Sequence, residues 1–178
     1  MKWFTGLVFC IVVGLAVSEE EVDYLSNYYC YLAKVFKFRL NADYSGGWCK
    51  YEPTITKYQI QAAEECQTGF ADVARKYYDN LNEVCTEGLK GKCGRDMFTD
   101  IGKECFQDYY NDLGKPGSNP FDPLESERVL CKHIDTMMAC QFTKVEEQCK
   151  NEYPVFLRVM TAFVNLQHSV CAIIPDSS

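Results

Sequence analysis

Cysteines constrain this chain more than any other feature of its sequence. Eleven occur among 178 residues, and all but Cys10 follow an apolar N-terminus. These ten are Cys30, Cys49, Cys66, Cys85, Cys93, Cys105, Cys131, Cys140, Cys149 and Cys171. An even number of cysteines in an exported chain predicts a disulfide framework. Spacing leaves the pairing open, because ten cysteines allow on the order of a thousand connectivities. Most gaps are as long as a helix, so we expect the bridges to tie helices together.

The first residues of the chain predict a signal peptide. Lys2 supplies a positive charge, residues 3–17 are almost wholly apolar, and residues 16–18 are small ones that a signal peptidase reads. The apolar run is shorter than the roughly 20 residues that a membrane span needs. We therefore expect cleavage after Ser18 and export of residues 19–178 as a cysteine-rich helical domain without a membrane span. A retained N-terminal anchor is the alternative.

The mature chain has the size and charge of an exported globular domain. Removal of 18 of the 178 residues leaves 160, which fits one domain or two small ones and is long enough to bury a core. Loss of Lys2 reduces the basic residues from 18 to 17 against 25 acidic ones, so the net charge becomes −8. An acidic balance argues against nucleic acids and anionic membrane surfaces as partners.

Helix signals are clearest in the C-terminal part. Asp122 is placed as an N-cap, Pro123 follows at the first helical position, and Glu125 has capping-box spacing. A second capping pattern begins at Thr143, so we expect the helix to bend or restart there. The next helix should be capped by Asn151, with Pro154 in its first turn. It is apolar around much of its circumference and ends at Cys171, as a central helix would. The two helices should form an antiparallel pair stapled by cystines.

Three further helices are predicted upstream. The first covers residues 21–40, and turn-forming residues between 41 and 53 end it. The second opens with a capping box at 56–59 and runs through Val84, loosened at Gly69. The third brings apolar residues between 97 and 110 inward. Because strand-like alternation is nowhere sustained, the predicted fold is all-α, a single compact, disulfide-stapled bundle of about five helices.

One short sequence occurs twice in similar form. Tyr77-Tyr78-Asp79-Asn80-Leu81 resembles Tyr109-Tyr110-Asn111-Asp112-Leu113. The two copies lie at different distances from the preceding cysteines, Cys66 and Cys105. The similarity therefore indicates chance in a tyrosine-rich helical protein rather than an internal duplication.

The most enzyme-like fragment is Cys131-Lys132-His133-Ile134-Asp135. Secreted phospholipases A2 also carry a catalytic histidine among cystines on a helix, and the aspartate immediately after it binds calcium. Here Ile134 separates His133 from Asp135, so the two side chains diverge by about 200° on a helix. The stretch Tyr44–Cys49 matches the calcium loop of that family poorly. A calcium-dependent lipase is therefore the least favoured alternative, and a surface histidine is the preferred interpretation.

Other catalytic and metal-binding chemistries have no motif in the sequence. His133 and His168 are the only histidines, and they lie outside any ligand-spacing pattern. The even set of cysteines leaves no obvious free thiol for nucleophilic catalysis. No spacing singles out a carboxylate pair or a phosphate-binding glycine loop. We therefore predict a non-enzymatic protein with no catalytic residue, cofactor or metal.

The abundance of aromatic residues predicts that the protein acts by binding. The chain contains 12 Tyr and 11 Phe, and the doublets at 28–29, 77–78 and 109–110 cannot all point inward on a helix. An exposed tyrosine suits a protein interface, whereas a Phe/Met-lined hollow between helices would hold an apolar ligand. We expect a secreted, toxin-like or other extracellular effector that binds a protein target. A carrier of small apolar ligands is the alternative.

The C-terminal half, from Cys85 to Cys171, resembles a group of exported helical domains common in invertebrates and typified by the nematode T20D4.11-like domain. Cys131, Cys140, Cys149 and the apolar helix that ends at Cys171 carry the resemblance. It rests on spacing rather than on a chemical motif, and it leaves the stretch from Cys30 to Cys66 unexplained. The resemblance implies an exported, non-enzymatic domain. Six-cysteine odorant-binding proteins fit less well, because their close Cys-x-x-x-Cys pair is absent.

Overall fold

A computed structural model describes residues 24–39, 41–42, 48–87, 103–115, 119 and 122–174; the predicted signal peptide lies outside them. The described residues form six α-helices and a short 3-10 turn, and they contain no strand. The helices are α1 (Tyr24–Arg39), α2 (Trp48–Glu65), α3 (Ala71–Glu87), α4 (Gln107–Leu113), α5 (Pro123–Gln148) and α6 (Tyr153–Cys171), and the 3-10 turn covers Lys103–Phe106. The all-α prediction is confirmed.

The start of α5 follows from its first residues. Asp122 accepts a hydrogen bond at its Oδ1 from the backbone N–H of Leu124, at 2.9 Å, and Pro123 lies in the first turn. Both features agree with the prediction. Glu125 does not complete a capping box, because its Oε2 accepts from the backbone N–H of Asn119 at 2.9 Å. Its side chain thus ties the preceding loop to the helix.

The restart predicted at Thr143 is wrong, because α5 continues through it. The hydroxyl of Thr143 donates to the carbonyl of Ala139, one turn earlier, at 3.0 Å. A threonine satisfied in this way stays inside a helix instead of capping a new one. The residue before α6 is Glu152 rather than the predicted Asn151, and Pro154 lies in the first turn as expected.

The second predicted helix is two helices, and it begins earlier than expected. α2 starts at Trp48 and includes Pro53, so the predicted break up to Pro53 and the start at Thr56 are wrong. The hydroxyl of Thr56 donates to the carbonyl of Glu52 at 2.9 Å inside the helix. Pro53 removes one backbone hydrogen bond and its ring crowds the preceding turn, but the bridge from Cys49 anchors that turn.

The end of α2 is determined by backbone conformation. The helix stops at Glu65, and Gln67 and Gly69 then adopt φ values of 51° and 83°. These values lie in the left-handed region, which a right-handed helix cannot continue through. The chain reverses there, and α3 packs against α2.

The helices are ordered in space as α1, α2, α3, α6, α5 and α4, each packing mainly on its neighbours in this series. The position of α6 between α3 and α5 confirms that it is the central helix. Its buried residues are Phe156, Val159, Met160, Ala162, Leu166 and Val170. One continuous apolar core joins side chains of α1, α2, α3, α5 and α6. By contrast, α4 and the 3-10 turn contribute no buried residue.

Four disulfide bridges have both cysteines in the described residues. They are Cys30–Cys66, Cys49–Cys85, Cys105–Cys140 and Cys131–Cys171. All four tie one helical segment to another, as predicted, and the last one staples α5 to α6. Cys149 is also disulfide-bonded, and the structure does not describe Cys93.

The same interleaved order of bridges occurs twice. We call α1–α3 the first unit and the 3-10 turn with α4–α6 the second unit. In each, one bridge runs from the first helical segment to the second, and the other from the second to the third. The two units meet where α3 packs on α6. The similar pentapeptides at 77–81 and 109–113 lie on α3 and α4, so they do not occupy equivalent positions in the two units.

Candidate interaction surface on helix α1

The outermost helix of the first unit carries apolar side chains on its solvent side. Tyr29 is 50% exposed and Phe36 is 51% exposed, and the exposed Ala33 lies between them. Residues spaced by four and by three lie on one side of a helix, so the three form a row about 10 Å long. We call Tyr29, Ala33 and Phe36 the α1 face.

The opposite side of α1 fixes the helix to the protein. Tyr28, Tyr31 and Val35 are buried in the core. The ring of Tyr31 meets that of Phe70 edge to face, with 5.0 Å between centroids. The bridge from Cys30 to Cys66 adds a covalent link. The α1 face is therefore presented by a helix that is anchored from behind.

The charge of α1 differs from that of the whole chain. The helix contains Lys34, Lys37 and Arg39 and no acidic residue, whereas the whole chain has a net charge of −7. Lys34 is paired with Glu65, with 2.6 Å between Nζ and Oε2. This hydrogen bond raises the pKa of Lys34 and lowers that of Glu65. Lys37 is exposed beside Phe36, so the apolar row has a cationic margin.

The tyrosine doublets confirm that their rings cannot all point inward. Tyr28 is buried and Tyr29 is exposed, while Tyr110 is 57% exposed beside the half-buried Tyr109. The doublet at 28–29 was predicted from the sequence to contain an exposed ring, whereas the exposure of Phe36 was not predicted. The signal that identifies it is the helical spacing of Tyr29, Ala33 and Phe36 in a segment without acidic residues.

Tyr77 uses its hydroxyl inside the protein. It is buried, and its hydroxyl donates to Oε1 of Glu52 at 3.3 Å. Burial, and then the charge of Glu52, raise the pKa of Tyr77 well above its ordinary value. Its ring contacts that of Phe163, with 5.6 Å between centroids. Tyr77 therefore links α2, α3 and α6 and belongs to the core.

His133 and Asp135 do not share a site. His133 lies with its Nε2 2.8 Å from Oδ2 of Asp112 on α4. Asp135 lies with its Oδ1 2.8 Å from Nε2 of His168 on α6. The divergence expected from their spacing sends the two side chains to different neighbouring helices. Most of the candidate calcium loop, residues 44–47, lies outside the described residues.

Asp112 is the centre of a polar cluster that joins α4 to α5. Its carboxylate contacts Nζ of Lys115 at 2.5 Å, Nζ of Lys132 at 2.6 Å and Nε2 of His133 at 2.8 Å. The hydrogen bonds from Lys115, Lys132 and His133 hold the pKa of Asp112 well below its ordinary value of 3.8. The side chains of Asp112 and His133 are each only 15% exposed. The cluster therefore holds α4 against α5 by charged hydrogen bonds.

Cavities open on the surface of the described residues, and two of them lie where helices meet. One, of about 270 Å³, lies where α1 ends and α2 begins, and Phe38, Tyr51 and Ile55 contribute to its wall. The other, of about 420 Å³, is a groove between α3 and α6. Both are open to solvent, and neither is the closed Phe/Met-lined hollow expected of an apolar-ligand carrier.

The described part of the chain contains neither a metal-binding cluster nor a helix that could cross a membrane. There, no group of three or more His, Cys, Asp or Glu side chains could hold a metal ion. None of the helices in the described ranges combines the length and apolarity that crossing a membrane requires. Comparisons of the chain with protein-family models, with curated proteins and with solved structures found no match.

Proposed function

We propose that the protein is a secreted, non-enzymatic binding protein whose α1 face contacts an extracellular protein. The observation that carries this proposal is the exposure of Tyr29 and Phe36 on one side of an anchored helix. Aromatic side chains are enriched in the cores of protein interfaces, where their large apolar area is removed from water. Bridges between helices are compatible with the oxidising extracellular environment.

The charge of α1 favours a particular kind of protein partner. A cationic helix on an acidic protein attracts carboxylates, while the rest of its surface repels them. The partner is therefore a protein that presents an apolar patch bordered by Asp or Glu side chains. Lys37 lies where it would meet such a border, and its contribution should weaken as salt screens the charges.

Affinity capture with matched variants tests the proposal. The immobilised wild type, Phe36→Ser and Tyr110→Ser are each exposed to extracellular fluid from the source tissue. Tyr110 is the matched control, because it is a similarly exposed aromatic residue on the distant α4. We expect a protein to be retained by the wild type and by Tyr110→Ser but not by Phe36→Ser.

The retained protein is then titrated against each variant by surface plasmon resonance. Loss of the Phe36 ring should raise the dissociation constant by about tenfold or more, as expected for an aromatic side chain central to an interface. Lys37→Glu should raise it as well, and more strongly at low salt. Equal retention by all three proteins, or the loss of binding only in Tyr110→Ser, would contradict a role for the α1 face.

A further inference from the structure

The groove between α3 and α6 has the chemistry of a second binding site, independent of the α1 face. α3 and α6 run antiparallel, because Tyr77 contacts Phe163 while Glu83 pairs with Arg158. The groove has a volume of about 420 Å³ and is lined by Lys76, Asn80, Leu157, Arg158, Thr161, Ala162 and Asn165. This volume lies within the ordinary range of small-molecule sites, roughly 300–1,000 Å³.

The surface of the groove is mainly apolar, and no acidic residue lines it. Leu157 is one of the few large apolar side chains that are substantially exposed, at 38%. Ala162 forms part of the wall and is buried. An apolar chain laid along α6 would cover Leu157 and remove its exposed area from water.

The two cationic side chains of the groove differ in whether they already have an acidic partner. Arg158 already pairs with Glu83, with 3.0 Å between Nη2 and Oε1. Lys76 is exposed, and it forms no ion pair with another described residue. The antiparallel register places Lys76 towards the Asn165 end of the groove and Leu157 at the other end. The two ends are thus separated by about 12 Å along α6. The ammonium group of Lys76 lies at one end, and Leu157 lies beside the ion-paired Arg158 at the other.

We infer that this groove binds a long-chain carboxylate of the fatty-acid class. The carboxylate lies at the ammonium group of Lys76, where a charge-assisted hydrogen bond is available. The hydrocarbon chain runs along α6 and covers Leu157. Asn80 and Asn165 add amide groups beside the head group. A neutral chain of the same length lacks the contact with Lys76 and should bind more weakly.

Calorimetric titration of the full mature protein with dodecanoate, kept below its micellar concentration, tests the inference. We expect saturable binding of one molecule, with dodecanol binding about tenfold more weakly. Lys76→Gln should weaken dodecanoate binding about tenfold and leave dodecanol binding unchanged. Leu157→Ser should weaken the binding of both ligands, because both chains cover it.

Lys57→Gln is the matched control, since it removes an exposed lysine from α2 and should leave both affinities unchanged. Thermal unfolding followed by circular dichroism establishes that each variant is folded before it is titrated. The absence of saturable binding to the folded wild type would overturn the inference. So would binding that is equally tight for dodecanol, or that is insensitive to both Lys76→Gln and Leu157→Ser. None of these results depends on the α1 face, so the two proposals fail separately.

Discussion

Gly69 allows the chain to turn between α2 and α3. Gly69 adopts a φ of 83°, in the region that residues with a side chain rarely occupy. A Cβ atom added at Gly69 would meet nothing within 4 Å. The requirement for glycine therefore comes from the backbone and not from crowding.

Gly69→Ala is expected to lower the free energy of unfolding by about 1 kcal/mol, because alanine is strained at this φ. Urea denaturation with the disulfides intact measures the change. Gly114→Ala is the control, since Gly114 has a φ of −88° and an added Cβ would lie 3.4 Å from the carbonyl oxygen of Tyr110. Its effect should stay within about 0.5 kcal/mol. Equal effects of both substitutions would show that backbone strain at Gly69 is not the cause.

At the scale of the element, α4 is held in an unusual way. The helix and the 3-10 turn before it bury no residue, so the apolar core does not hold them. Their attachments to α5 include the bridge Cys105–Cys140, the ion pair between Glu104 and Lys144, and the cluster around Asp112. The hydroxyl groups of Tyr109 and Ser126 are also in contact, at 3.4 Å. A helix attached by charges responds to pH and salt more than one attached by burial.

The lowered pKa of Asp112 fixes the sign of its pH dependence. A carboxyl group whose pKa is lower in the folded state stabilises the fold above its unfolded pKa, and this contribution is lost as the pH falls through the folded pKa. We therefore expect Asp112→Asn to be less stable than the wild type at pH 7. The difference should shrink as the pH falls below about 4.

Urea unfolding at several pH values measures this difference, and amide hydrogen exchange at neutral pH locates it. Exchange should accelerate in residues 107–113 of Asp112→Asn, while α6 stays protected. Asp79→Asn serves as a charge-matched control, because Asp79 is exposed on α3. If the stability difference between Asp112→Asn and the wild type stays constant from pH 7 to pH 3, the Asp112 carboxylate does not stabilise the fold through its charge.

For the whole molecule, apolar contact between α3 and α6 joins two disulfide-bonded units. Each of the four bridges described stays within one unit. The core is nevertheless continuous across the contact. Leu81, one turn after Tyr77 on α3, is completely buried there. Both units should therefore unfold together even though the four described bridges hold them separately.

Leu81→Ala is expected to lower the free energy of unfolding by about 2–5 kcal/mol, because it leaves a cavity in the core. Near-ultraviolet and far-ultraviolet circular dichroism should report one coincident urea transition. Leu157→Ala is the control for chain shortening at an exposed site of α6, and it should change the stability by less than about 1 kcal/mol. Two separate transitions in the wild type would show that the units are independent.

Local physics at particular residues determined much of this structure. Asp122 and Pro123 start α5 because capping and a fixed φ act within a few residues of the chain. The apolar circumference of α6 likewise predicted its central position. Local patterns failed at Pro53 and Thr143, where the surrounding helix outweighed a turn or capping signal. These errors concerned where helices begin and end, and they left the predicted all-α class unchanged.

Only the tertiary structure decided which residues contact one another and which stay exposed. The pairing of the described cysteines, the contact of His133 with Asp112 and the exposure of Phe36 each depend on which helices become neighbours. Helical periodicity shows which residues share a side of a helix, but it does not show whether that side meets another helix or water. The choice is made when apolar sides pack against one another, because burial depends on the arrangement of all the helices together. The sequence therefore determined a stapled helical protein, and the packing left the α1 face exposed.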